Sequence, residues 1–125
     1  MNRSDEDVLR FIAACLPSVW ALELLLTLKR EPRPWSSTEL LANLRASELV
    51  VSKALDALVA AGLASIEGDG ALYLPVNADV ALCVDRVEQL YRSRPNKVRR
   101  AIVSASSRSA IAFAEAFKLR RDENG

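Results

Sequence analysis

Hydrophobic positions recur every three or four residues along most of this chain, switch to a shorter period over one stretch past its middle, and then return to helical spacing. Val8, Phe11, Ile12 and Cys15 stand at i, i+3, i+4 and i+7, which predicts an amphipathic helix starting near Ser4. Asp5, Glu6 and Asp7 suit its positive first turn, and Pro17 ends it. Ser18 is placed to cap a second helix, Val19 to about Arg30, whose apolar residues run almost all the way round. That pattern marks a central, buried helix. Lys29 and Arg30 match its negative end, and Glu31-Pro32-Arg33-Pro34 cannot continue it. Ser36 and Glu39 have capping-box spacing and open a short helix through Leu44, with Trp35 placed to staple onto Leu40. A turn, Arg45-Ala46-Ser47, leads to a longer helix capped by Ser47, from Glu48 to Ala61. Its expected buried stripe is Val51, Leu55 and Leu58, with Gly62 as a left-handed C-cap.

After Gly62 the period shortens. Residues 63–67 and 71–74 read as two short strands around the turn Gly68-Asp69-Gly70, ended by Pro75 and Asn77. Helical spacing returns from Ala78 to Ser93, with Val80, Val84, Val87 and Tyr91 on one stripe, and Pro95 breaks it. Two further helices are expected, about Lys97–Ser104 and Ser109–Arg121, before a loose tail at 122–125. The fold class that follows is mostly α with a small β-hairpin, in one domain over 1–125. No internal repeat or low-complexity segment is present.

Composition narrows the class. The 125 residues are 50% hydrophobic and 26% charged, a globular balance, and they suffice for a core without disulfides or metal. The polar opening Met-Asn-Arg-Ser-Asp-Glu-Asp carries no signal-peptide pattern. The longest apolar run, around Val19–Leu28, is interrupted by Glu23 and Thr27 and is too short for a membrane span. A cytoplasmic protein is therefore expected. Cys15 and Cys83 read as two buried thiols in a reducing compartment, with a regulatory disulfide as the alternative.

Net charge is only +1, but unevenly spread. Residues 1–62 carry seven Lys/Arg against eight Asp/Glu, residues 63–91 one against five, and residues 92–125 nine against three. The last quarter alone, at net +6, has the charge that nucleic acid attracts.

Capped short helix, three-residue turn, longer helix, Gly, then hairpin is the order of a winged helix-turn-helix, in which the second helix enters a major groove. The stretch Leu44-Arg45-Ala46-Ser47-Glu48-Leu49-Val50-Val51-Ser52-Lys53-Ala54-Leu55, followed by Ala60-Ala61-Gly62-Leu63, resembles that motif in bacterial regulators of the MarR and ArsR type. The resemblance covers about residues 18–76, leaving 78–121 as a C-terminal helical extension. The whole chain also resembles a group of bacterial proteins through residues 18–26 and Leu90-Tyr91-Arg92-Ser93-Arg94-Pro95, a resemblance that implies a shared extension and no activity. What the first resemblance implies is a transcriptional regulator that binds double-stranded DNA, with Ser47, Ser52 and Lys53 at the groove. By its own charge density the basic run Arg92, Arg94, Lys97, Arg99 and Arg100, with Arg120 and Arg121 as additions, is read either as a phosphate-holding segment or as the solvated faces of two amphipathic helices.

The exposed face expected for the second helix, Glu48, Leu49, Ser52, Lys53 and Asp56, departs from that pattern. Groove-reading faces favour Arg, Lys, Asn or Gln, and the wing has acids, Glu67 and Asp69, where a cation is usual. The alternative is therefore an adaptor that binds a basic protein partner through its acidic wing. Ala110, Phe113, Ala114 and Phe117 form a stripe suited either to the core or to a homodimer contact through terminal helices, and the dimer is favoured. No enzyme is expected: the chain has no His, no metal-ligand spacing and no Gly-rich phosphate loop. No cofactor is expected either.

Overall fold

The structure, a computed structural model, describes residues 5–105. Helix α1 (Asp5–Cys15) is followed by α2 (Val19–Arg30), a two-residue strand β1 (Trp35–Ser36), and helices α3 (Ser37–Leu44) and α4 (Glu48–Ala60). Strands β2 (Ala64–Glu67) and β3 (Gly70–Tyr73) come next, then α5 (Ala78–Ser93). A further helix, α6, is described from 95 to 105, where the described residues end. The expected helix at Ser109–Arg121, with Phe113, Phe117, Arg120 and Arg121, lies outside the described residues. The described chain is mostly helical with one small antiparallel sheet.

Capping residues set most boundaries. Ser18 Oγ accepts from the Ala21 N–H, Ser47 Oγ from Val50 and Asn77 Oδ1 from Val80, each satisfying a donor that the first turn leaves open. The capping box at α3 is complete, since Ser36 Oγ accepts from the Glu39 N–H while Glu39 accepts from the Ser36 N–H. At the end of α4, Gly62 takes φ 76°. The Leu63 N–H then donates to the Leu58 carbonyl and the Gly62 N–H to Val59, the Schellman arrangement. Pro95 does not lie between helices as expected. It opens α6, because its missing N–H costs nothing at a first helical position and its φ is already helical.

The sheet has the order β1-β3-β2. β2 and β3 form the expected hairpin, with Glu67 opposite Gly70 and Ala64 opposite Tyr73, so the turn is two residues, Gly68-Asp69. Gly70, expected in the turn, is buried in the strand. A Cβ there would stand 3.1 Å from Pro34 Cβ and 3.4 Å from the Trp35 carbonyl oxygen. β1 was not expected from the sequence: Trp35 pairs with Ala71 and Ser36 with Gly70. Two residues are too few to display a period.

α2 is the central helix, with Ala21, Leu22, Leu24, Leu25, Leu26 and Leu28 all buried. α4 and β3 pack on it, and α1 packs on α5. One core cluster takes residues from all six helices, from Val8 and Ile12 in α1 to Val98 and Ile102 in α6. Trp20 departs from the all-round burial that the pattern predicts. It is 41% exposed, being close to the start of α2. Ala54 rather than Leu55 completes the buried stripe of α4 with Val51 and Leu58. Among the described residues no single helix is long and apolar enough to cross a membrane. α1 and α2 reach the required length only as a pair bent by 103°.

Candidate nucleic-acid interface

α3 and α4 pack together across the turn 45–47, and α4 is held from behind by α2 and β2. Burying Val51, Ala54 and Leu58 inward turns Glu48, Leu49, Ser52, Lys53 and Asp56 outward, and all five are exposed. Leu49 is 64% exposed. Ser47 is exposed as well. Its oxygen accepts the Val50 N–H at 3.2 Å, which leaves its own hydroxyl proton to donate outward. Between α3 and α4 lies a cleft of about 200 Å³ lined by Leu40, Leu41, Val51, Leu55 and the polar groups of Glu48 and Ser52.

The turn supplies a cation that the sequence reading passed over. Arg45 adopts the left-handed conformation at φ 53°, which lets the chain reverse tightly between the helices, and its side chain is exposed. Neither Arg45 nor Lys53 has an ion-pair partner among the described residues. The signal available was its position in the turn between the two helices. Arg33, just ahead of α3, is committed elsewhere. It stacks 4.0 Å over the Trp35 ring and pairs with Glu39 at 3.1 Å. The Ser36 N–H and Arg33 together hold the Glu39 carboxyl below its ordinary range.

The second expected cluster is dispersed over several partners. Arg92 reaches Glu88 at 3.5 Å, one helical turn back, and Lys97 reaches Asp5 of α1 at 3.6 Å. Arg99 lies 5.4 Å over the Tyr91 ring and donates to its hydroxyl at 3.1 Å, while that hydroxyl donates to Glu23 of α2 at 3.1 Å. Arg94 ends α5 and lines a cavity of about 210 Å³ between α1 and α5. Arg100 is exposed on α6. No described ion pair or hydrogen bond joins this segment to the outward face of α4.

Acidic charge collects in two places. At the wing tip Ile66, Glu67, Gly68 and Asp69 are all exposed. At the α2–α5 junction Glu88 receives Lys29 at 2.8 Å, Arg30 at 3.4 Å and Arg92 at 3.5 Å, while Asp85 takes Lys29 at 3.1 Å. The Lys29 hydrogen bond holds the Glu88 carboxyl below its usual value, against the effect of burial, and Glu88 in turn raises Lys29. Tyr73 has a buried hydroxyl without a partner, and burial, then Asp85, push its pKa up.

No cluster of three or more metal-ligating side chains exists among the described residues. No family model matches this chain, and no match was found among curated proteins or solved structures.

Proposed function

We propose that this chain is a winged helix-turn-helix DNA-binding regulator, in which α3, the turn and α4 form the helix-turn-helix and the β2–β3 hairpin the wing. The observation that carries the reading is the outward face of α4. It is exposed, it is backed by the core, and neither its cation Lys53 nor Arg45 in the preceding turn has an ion-pair partner among the described residues. A cation without an internal partner gives up no existing bond when it meets a phosphate. The β1-β3-β2 order adds support, because β1 ties the start of α3 to the hairpin and so fixes α4 and the wing in one frame. In this reading α4 enters a major groove, with Ser47, Ser52 and Lys53 against it and Arg45 on the flanking phosphates. Arg92, Arg94, Lys97, Arg99 and Arg100 form a second phosphate-binding surface. Their exposed pairings are weak enough to exchange for phosphate. The regulator acts in the cytoplasm as a homodimer joined through terminal helices, needs no cofactor and catalyses no reaction.

A specific observation favours a second reading. Ile66, 53% exposed, stands beside Glu67 and Asp69 at the wing tip, an apolar and acidic edge that suits a basic protein partner better than DNA. Anisotropy of a labelled random duplex over a salt series separates the two. DNA binding gives a linear loss of log affinity with log salt, and each phosphate contact removed flattens that slope by about 0.9. The adaptor reading gives no binding even at low salt.

A further inference from the structure

We infer that Cys15 and Cys83 form a dithiol site between α1 and α5 that a peroxide oxidises to an intrachain disulfide. The argument starts from register. Asp5, at the start of α1, lines one cavity with Ser93 and Arg94, at the end of α5, and pairs with Lys97 beyond it. Val8 lines the same cavity with Leu90 and Arg86. The two helices therefore run antiparallel, and a step forward along α1 matches an equal step back along α5. Seven residues on from Val8 is Cys15, and seven back from Leu90 is Cys83. Seven residues are close to two helical turns, so each cysteine lies on the same face as the residue that fixes the register. Both thiols are free and half-buried, and Cys15 packs against the core cluster. An independent sign agrees with this placement. Burial raises the Cys15 thiol pKa, and a charge on Cys83 raises it further, as expected of two sulfurs near enough to interact.

The chemistry balances with a hydroperoxide as oxidant. One thiolate attacks the peroxide oxygen, forms a sulfenic acid and expels hydroxide. The second thiolate attacks that sulfur, forms the S–S bond and expels the oxygen as a second hydroxide. The thiol protons convert both to water, so two thiols and one hydrogen peroxide give one disulfide and two waters. Disulfide geometry requires Cα atoms roughly 4.4–6.8 Å apart, a spacing available to neighbouring positions on two packed helices. The bond would tie the first helix to the fifth and restrain their relative movement.

The test uses the full chain with hydrogen peroxide in modest excess. Expected are loss of both thiols, a monomer-mass product lighter by two hydrogens, and a Cys15–Cys83 crosslinked peptide on digestion. The rate should not depend on protein concentration and should rise with pH. Cys15→Ser or Cys83→Ser should instead leave a sulfenic acid on the remaining cysteine that a cyclic 1,3-diketone traps, with no linked peptide. Crosslinks between chains, or stepwise over-oxidation of each cysteine with no linked peptide, would overturn the proposal.

Discussion

Two residues show how local backbone and packing decide single-site energetics. Leu24 is 0% exposed at the centre of α2, so Leu24→Ala removes a fully packed side chain and should cost about 2–5 kcal/mol. Urea melts check it, and a loss below about half a kilocalorie would mean that α2 is not the core helix. Arg45 holds φ 53°, a region that penalises any Cβ. Arg45→Gly should therefore leave stability unchanged or raise it by up to about 1 kcal/mol in the same melts. The same change should weaken duplex binding. A variant that is more stable yet binds less well separates the turn's geometry from its charge. The periodicity at this scale was readable for Leu24 but not for Trp20, because a helix pattern does not say which turn meets solvent. Arg45 was legible as a turn residue. Its left-handed bend and lack of an ion-pair partner among the described residues emerged only with the structure.

At the scale of elements, Glu88 joins α5 to α2 through Lys29 and Arg30, and its side chain is 13% exposed. Glu88→Gln keeps the shape and removes the charge, and should destabilise by on the order of 1 kcal/mol, since the cations it holds are partly exposed and screened. The pH dependence follows from the signs. Glu88 is held below its ordinary value, so its contribution is present above that value and is lost as pH falls through the folded one. Lys29 is raised above 10.5, so its contribution is present below that and is lost as pH rises through the folded value. The difference in melting temperature between the unmutated chain and Glu88→Gln should be widest across the neutral range and shrink in acid. A difference that grows in acid would contradict this. Caps, prolines and Gly62 made most helix boundaries legible, because each acts through a local donor or a fixed φ. β1 was not, since a two-residue strand exists only by pairing with β3. Pro95 was read as a break although its position made it a start.

At the scale of the whole molecule, the sequence offered one cationic segment, a helix face with a single Lys and an acidic wing without saying how they are arranged. The fold puts α4 on α2 and β2, and α5 on α1. Two of the named cations, Arg92 and Lys97, already face acids at 3.5 and 3.6 Å. Replacing Lys97, Arg99 and Arg100 together by Ala should nevertheless flatten the salt slope of duplex binding more than Lys53→Ala does, because three contacts outnumber one. The loss of sequence preference should follow Lys53. Light scattering at tens of micromolar tests the proposed homodimer, which a monomer would contradict. Phe113→Glu should then yield a monomer with an unchanged helical spectrum.

The most direct measurement of the central claim is affinity for a random duplex as salt is raised from a low value. DNA binding through α4 predicts a measurable complex at low salt and a straight decline in log affinity with log salt. Lys53→Ala and Arg45→Ala should each reduce that slope by about 0.9. No complex at the lowest salt, or a slope that neither substitution changes, would contradict the claim and leave the acidic wing as the functional surface.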